Sequence, residues 1–561
     1  MNDSPIAPAS TTGRAAFLSL LASEGVDVLF GNPGTTELAI MEALSGQSQI
    51  EFVLGLQESI VVGMADGYAR ASGRLAACNV HVAPGLGNAL GSLYNAKFYG
   101  SPVLLTAGQQ EQGFGLMEPM LYDPLVPMAQ PYVKWAIEVT RVQDLPRIIR
   151  RAAKVALTPP TGPVFISLPG DILDGVAELD LGFPTRVDTA TRPADGALEL
   201  LANALLEARN PVIIAGHELA LHQAFDEAAA LAAMLAIPVY QQTVPSAAHF
   251  LSAHPAYKGP ISRLQPQVHD TLAPHDLLVL LGSDQLRMGV FNRIDPLPTG
   301  MRIIQISERP WELAKNYPTE IALNANIKET LKALLPVISA KLDATQRQAR
   351  AAKLAVLATD NWTVRRERAR QEAQLCAATR PIDPHYLMMR LTEVLPRDVV
   401  VVEEGLTATV TLLRHLPFHD PKGFYGLASG GIGFAMAGAV GISLALRQRP
   451  IVAIVGDGSA MYSIQALWTA AHLKLPITYV IPNNRGYRII KERLKILRGS
   501  ENFIGMDFVD PEIDFVMLAR SLGVPAQRIV DPAEIGPAIQ TALASGGPSL
   551  LDISVANGFG Q

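Results

Sequence analysis

The chain has 561 residues, room for three or four domains of about 150 residues each with its own core, which excludes a single small binding module. Apolar residues make up 49% and charged residues 17%, with 46 Lys and Arg against 52 Asp and Glu, which excludes a disordered chain and a general basic surface for nucleic acid. Cys78 and Cys376 stand far apart without CxxC spacing, so neither a disulfide framework nor a zinc site is expected, and a reducing cytoplasm is the simplest compartment. The N-terminal MNDSPIAPASTTGRAAF lacks the basic start and long apolar run of a secretory leader and reads as a short loose arm.

Beyond it, strand-like apolar runs alternate with helix-length amphipathic stretches to the end of the chain, the pattern of parallel sheets with crossover helices, so the fold class is α/β. The first strands are VDVLF at 26–30, FVLGL at 52–56, AACNV at 76–80, VLLTA at 103–107 and VFISLP at 164–169, which fit one doubly wound sheet. A polar stretch with two prolines, FPTRVDTATRPADG, then reads as a linker. A second unit follows with PVIIAG, IPVYQQ, LLVLLG and RIIQIS, and from about 338 to 378 a glycine-free run rich in Ala, Lys, Arg, Gln and Leu favours helix. The third unit carries VVVVEE, IVAIVG, ITYVIPN and LLDIS. The segment 429–446 reaches the minimum length of a membrane span but holds five glycines and two serines. A buried helix packed closely through small residues is expected there, and no membrane association.

The segment GDGSAMYSIQALWTAAHLKLPITYVIPNN at 456–484 carries the chemistry. A buried strand ends in Gly456-Asp457-Gly458-Ser459, a helix follows with apolar residues on one face, and the next strand ends in Asn483-Asn484. Both polar clusters thus fall at carboxyl ends of neighbouring parallel strands, where open α/β sheets place their ligands. The glycines permit close backbone approach, the helix N-terminus attracts an anion, and Asp457 with the Asn484 amide oxygen offers hard ligands to magnesium. A magnesium-bridged diphosphate fits such a site.

GDG, the gap of 27 residues from Asp457 to Asn484, and the strand-helix-strand context match a thiamine-diphosphate signature. On these and further segments, FGNPGTTEL, LQESIVVGMADGYARASG, NVHVAPGLGNALG, PVLLTAGQQ and SGGIGFAMAGAVG, the chain resembles the thiamine-diphosphate-dependent decarboxylase and acetolactate synthase superfamily over essentially its whole length, most of all its benzoylformate-decarboxylase branch. The resemblance implies three doubly wound parallel-sheet domains: a pyrimidine-binding domain at 1–182, a central domain at 195–340, and, after a helical connector at 341–379, a diphosphate-binding domain at 380–561. It further implies thiamine diphosphate and Mg2+ as cofactors. They would lie between the first domain of one subunit and the last of another, hence in a homodimer or homotetramer.

Residue by residue, the resemblance puts Glu58 on the pyrimidine ring nitrogen, where it promotes deprotonation of the cofactor, and Ile432 beneath the two rings, with the Gly430 carbonyl on the exocyclic amine. Thr407, Gly456, Gly458, Ser459, Tyr462 and Tyr487 fall around the diphosphate, and Asn32, Pro33 and Gly34 line the cofactor from the first domain. Asp457, Asn484 and the Gly486 carbonyl would hold the metal, while Asn483 reads as a turn or strand-end residue. His81 takes the active-site histidine position, suited to proton relay because histidine titrates near neutrality. Thr35 stands where the benzoylformate-decarboxylase branch has a serine orienting the substrate carboxylate.

Two features depart from that branch. DQLRMGVFNRIDPLPTG at 284–300 has no histidine where a second catalytic one belongs, and after Asn484 the run 485–498 holds six basic residues against Glu492 alone. That run reads as a basic amphipathic helix, either a solvated face or a binding element for an acidic substrate or phosphate-bearing acyl carrier. The expected activity is a carbon-carbon lyase, decarboxylating a 2-keto acid of the benzoylformate type to an aldehyde with carboligation as a side reaction. A 2-hydroxyacyl-coenzyme A lyase or acetolactate-synthase-like carboligase is the alternative, and a non-catalytic protein on the same fold a remote one. Flavin is not expected.

Overall fold

A computed structural model describes residues 9–289 and 292–558, so residues 1–8 of the expected arm and Val290 and Phe291 of the 284–300 stretch lie outside the described residues. The chain divides into two compact units. One gathers the described residues up to Val187, Leu427–Ile529 and the residues from Ala538 onward; the other holds Asp188–Gly426 and Val530–Pro537.

The first unit begins with β1 (Ala9–Thr12), β2 (Val28–Gly31), β3 (Glu51–Leu54), β4 (Ala76–Val80), β5 (Val103–Gln109), β6 (Ala136–Glu138), β7 (Val164–Pro169) and β8 (Val176–Leu179). β1 and β8 form a short antiparallel pair, and the other six make a parallel sheet in the order β3-β2-β4-β5-β7-β6. The chain leaves β2 to one side and returns to the other, so the carboxyl ends of β2 and β4 flank a topological switch point, the usual ligand crevice of an open α/β sheet. β4, β5 and β7 are buried along their whole length, which explains their unbroken apolar sequences.

In the second unit β9 (Pro211–Ala215), β10 (Val239–Gln241), β11 (Tyr257–Pro260), β12 (Leu277–Leu281), β13 (Arg302–Ser307) and β14 (Ile321–Asn324) form a parallel sheet ordered β11-β10-β9-β12-β13-β14. Its core includes Val212, Ile214, Leu278, Leu280 and Ile303. β15 (Val400–Glu404) pairs in parallel with β16 (Phe424–Gly426). Helices Ala344–Ala358 and Trp362–Gln374 occupy the glycine-free run, as its composition requires. Back in the first unit, β17 (Ile451–Val455), β18 (Ile477–Asn483), β19 (Ala526–Ile529) and β20 (Ser549–Ser554) are parallel, with β18 between β17 and β20 and β19 beyond β20. The architecture is that of three parallel-sheet α/β domains.

The small-residue segment becomes the buried helix Phe434–Ala445, and no helix among the described residues is long and apolar enough to cross a membrane. It packs against the helix Glu58–Ser72 at backbone distance: a Cβ added at Gly67 would lie 2.3 Å from the Gly438 carbonyl oxygen, and one at Gly441 only 1.9 Å from that of Met64. Beside this contact Asp66 and Arg70 form a fully buried pair, Nη2 to Oδ2 at 2.7 Å. The guanidinium lies over the rings of Tyr99 and Phe434 at 4.1 and 4.2 Å, and removing either partner of such a buried pair costs about 3–5 kcal/mol. Gly441→Val should therefore lower stability by about 1–3 kcal/mol or more, read as a fall in the urea midpoint, since backbone carbonyl on the facing helix leaves no room for repacking.

Candidate active site

The expected first-domain residues gather at the switch point. Asn32, Pro33 and Gly34 follow β2, and the Asn32 N–H donates to the Asn79 carbonyl of β4 at 3.4 Å. His81 follows β4 and caps the helix Val82–Tyr99. Val82 has φ +38°, a left-handed conformation costly for a β-branched residue and found where a neighbouring side chain must be aimed. The His81 ring is packed onto Gly34, where an added Cβ would stand 2.2 Å from Nδ1. Nδ1 lies 2.8 Å from Glu37 Oε2 and 3.2 Å from Thr36 Oγ1. Thr35 is exposed in the same short helical turn, Thr35–Glu37, so it is Thr36 and not Thr35 whose hydroxyl meets the histidine. Glu37, which the sequence did not single out, is buried and also accepts from the Gly34 and Gly108 N–H groups, each at 2.9 Å.

Glu58 is the first residue of its helix, with Gln57 as the cap accepting from the Ser59 N–H. Its Oε2 accepts from Asn88 Nδ2 at 3.0 Å, and Oε1 lies 3.2 Å from where a Cβ on Gly85 would stand, so glycine there leaves the carboxylate room. Both Asn88 and Gly85 belong to the helix that His81 caps.

The second cluster follows β17 and β18. Gly456 caps the short helix Asp457–Ala460, and the Asp457 side chain is buried with Oδ1 accepting from the Gly458 N–H at 2.7 Å and Oδ2 from the Gly486 N–H at 3.2 Å. Burial raises its carboxyl pKa to about 6 in spite of these backbone donors. Asn484 is buried and its Oδ1 accepts no hydrogen bond; Ser459 Oγ is likewise buried without a partner. A buried carboxyl lacking a cation beside an orphaned amide oxygen fits a hard divalent ion coordinated by oxygen. Asn483 ends β18 and gives Nδ2–H to Asp552 Oδ1 at 2.9 Å, so its amide is already engaged, unlike the Asn484 oxygen. The Tyr487 ring packs edge-on against Phe508, and the exposed Tyr462 packs over the loop before Phe434.

That loop, Ser429 to Gly433, is held at both ends. The Ser429 N–H donates to Asn95 Oδ1 at 3.2 Å, Asn95 in turn donates to Asp66 Oδ2 at 3.0 Å, and Ser463 Oγ donates to the Gly433 carbonyl at 2.8 Å. Gly430 and Gly433 are left-handed at φ +84° and +114°, with Ile432 half-buried between them. In the second unit, Thr407 sits in a loop after β15 organised by Glu403, which accepts from the Gly405 N–H at 2.9 Å and from the Thr409 hydroxyl. The basic run forms the helix Arg488–Arg498, much of its charge already neutralised: Arg485 pairs with Glu512, Arg488 with Glu492, Lys491 with Asp507 and Lys495 with Glu501.

Parallel α/β domains with an acid at a helix start in the first and an Asp-Asn oxygen cluster in the last suit a ligand held at strand carboxyl ends, and family models say which class of protein this is. The chain belongs to the thiamine pyrophosphate enzymes: the N-terminal TPP binding domain matches residues 11–117, the central domain 198–334 and the C-terminal TPP binding domain 407–553. It is 31% identical to benzoylformate decarboxylase of Pseudomonas aeruginosa over 97% of this chain and 98% of that protein. To the chloroplastic acetolactate synthase 2 of Brassica napus it is 26% identical, over 97% and 85%. Among solved structures, the thiamine-diphosphate-dependent 4-hydroxybenzoylformate decarboxylase of Rhodococcus jostii RHA1 superposes with a TM-score of 0.84 at 29% identity, covering 97% of this chain and 99% of that one. Benzoylformate decarboxylase from Polynucleobacter necessarius gives 0.87 at 27%, over 98% and 99%.

The raised Asp457 carboxyl has a consequence for stability. A carboxyl raised from the ordinary aspartate value of 3.8 to about 6 in the fold favours the fold at low pH, and that contribution is lost as pH rises through 6. From pH 4 to pH 7.5 the melting temperature of the cofactor-free wild type should therefore fall relative to that of Asp457→Asn, whose amide does not titrate and whose cost of turning its NH2 against one backbone N–H is the same at every pH. Melting temperatures across that range check it, and the same variant should lose metal-dependent cofactor binding.

Proposed function

We propose that this chain is a magnesium- and thiamine-diphosphate-dependent lyase that decarboxylates a 2-keto acid of the benzoylformate type to an aldehyde, with carboligation of aldehydes as a side reaction. The observation that carries the cofactor assignment is the buried Asp457 beside the orphaned Asn484 Oδ1. Asp457, Asn484 and the Gly486 carbonyl would hold the metal, and Gly456, Gly458, Ser459, Tyr462 and Tyr487 would hold the diphosphate. Glu58 would bond the pyrimidine ring nitrogen, the Gly430 carbonyl would accept from the exocyclic amine, and Ile432 would pack against the rings. When bound, thiamine diphosphate supplies the nucleophilic carbon and the electron sink for the pair released as carbon dioxide leaves. Asn32, Pro33 and Gly34 shape the wall at the switch point, the Thr35 hydroxyl orients the substrate carboxylate, and His81 relays protons to and from the reacting centre.

The internally paired basic helix favours decarboxylation over acyl-carrier chemistry, because ion pairs already engage four of its six cations. A homodimer or homotetramer would supply the partner surface for the loop 114–122, where Leu116 is 91% and Met120 86% exposed, a cluster of large apolar side chains of the kind that marks interfaces. The free thiols of Cys78 and Cys376 suit a reducing cytoplasm.

Product analysis with benzoylformate, 4-hydroxybenzoylformate, pyruvate and 2-hydroxyacyl-coenzyme A, in the presence of cofactor and magnesium, tests the reading. Aldehyde and carbon dioxide from an aromatic 2-keto acid are expected, and turnover confined to pyruvate pairs or the acyl thioester would overturn it. Glu58→Gln should cut turnover by roughly 100-fold or more while cofactor affinity changes far less, because an amide keeps a hydrogen bond but cannot exchange the proton.

A further inference from the structure

The environment of Glu37 determines which nitrogen of His81 carries a proton. Oε1 of Glu37 accepts from the Gly108 N–H at 2.9 Å and the Thr36 hydroxyl at 2.9 Å. Oε2 accepts from the Gly34 N–H at 2.9 Å and lies 2.8 Å from His81 Nδ1. Three of the four partners are donors with their hydrogens committed, so the fourth contact is attractive when it too brings a hydrogen. A proton shared between a carboxylate and an imidazole resides on the imidazole, the stronger base by about two units in model compounds. Nδ1 is therefore the protonated nitrogen, and in the neutral ring the lone pair is on Nε2. The ring cannot readily turn over, because Gly34 backbone backs it and Val82 at φ +38° fixes the chain behind it. Glu37 is 1% exposed and His81 21%, so the dyad presents one ring edge to the crevice and hides the other.

We propose that Glu37 is the positioning residue of this site: it holds His81 as the Nδ1–H tautomer so that Nε2 alone exchanges protons with the reacting centre. This rests on the reading of His81 as the proton relay. In the forward direction the imidazolium gives its Nε2 proton to the reacting centre, which must gain a hydrogen to leave as the aldehyde. The ring, now neutral, keeps Nδ1–H donating to Glu37, and Nε2 recovers a proton from solvent before the next turnover. Glu37 gains no proton at either stage. Its role resembles that of any buried carboxylate that orients an imidazole: fixing tautomer and angle, and balancing the charge that develops.

Glu37→Gln breaks the scheme, because an amide set in this cage must turn its NH2 either toward Gly34 N–H and Nδ1 or toward Gly108 N–H and the Thr36 hydroxyl. The first orientation demands an unprotonated Nδ1 and moves the ring hydrogen to Nε2. Glu37→Asp keeps an acceptor-only group at shorter reach and should fall between wild type and Gln. Two measurements test the proposal. Solid-state 15N spectra of histidine-labelled, cofactor-free protein, with His81 assigned by its absence in His81→Gln, should show a protonated Nδ1 in wild type, with Nε2–H appearing in Glu37→Gln in proportion to the first amide orientation. In the holoenzyme, with whichever 2-keto acid is turned over, kcat should fall by roughly 100- to 10,000-fold in Glu37→Gln with little change in KM, and recover in part in Glu37→Asp. A protonated Nε2 in wild type overturns the proposal. Full turnover in Glu37→Gln with His81→Ala crippled overturns the part played by Glu37 alone, and full turnover in both overturns the relay reading beneath it.

Discussion

The backbone contact between the helices Glu58–Ser72 and Phe434–Ala445 is the constraint on which the candidate site depends. With Gly67 and Gly441 at the crossing, two main chains approach to a distance that any side chain would prevent, and the Asp66–Arg70 pair closes the space beside them. One helix begins with Glu58, and the other begins immediately after Ile432 and Gly433. Asn95 carries the same constraint further, since its amide links Asp66 to the Ser429 N–H and so ties the loop around Ile432 to the buried ion pair. The loops that face ligand are thus fixed by the most tightly packed part of the unit, which is how a site gains precision without rigidity of its own.

Three of the buried carboxylates in this unit meet the cost of desolvation in three ways, and the difference separates structure from chemistry. Asp66 faces an arginine, and nothing about it asks for a ligand. Glu37 is met by two backbone N–H groups, a hydroxyl and a histidine, an arrangement that satisfies the carboxylate and orients the ring at once. Asp457 has backbone N–H groups only and is raised to about 6, beside an asparagine oxygen that accepts nothing. An incompletely satisfied buried group in a well-packed protein marks where something else binds. A cation, as proposed for this site, would complete the coordination of both oxygens and favour the charged carboxylate.

Much of the fold was legible because buried parallel strands have continuous apolar sequences: AACNV, VFISLP, RIIQIS and ITYVIPN coincide with β4, β7, β13 and β18. Strands of three or four residues at sheet edges or partly exposed, such as β6, β14 and β19, lack such runs and left no sequence signal. The grouping of N-terminal with C-terminal segments in one compact unit is a long-range fact that no linear reading contains. Within the site, Asp457 and Asn484 were legible because one strand-helix-strand unit carries both. Glu37 was not, because its partners His81 and Gly108 lie 44 and 71 residues away and only the sheet brings them together. The adjacent Thr35 and Thr36 are equivalent in sequence, and the helical turn decides that Thr36 faces the histidine.

The central claim is that the Asp457–Asn484 cluster and the rest of the site are completed by a metal-bridged thiamine diphosphate. Titration calorimetry of the wild-type protein with thiamine diphosphate, run with magnesium and again in excess chelator, addresses it most directly. Saturable binding that depends on magnesium, restored when the metal is returned, is the result this account predicts. Thiamine diphosphate binding of equal strength in chelator, or no binding with the metal present, would contradict it.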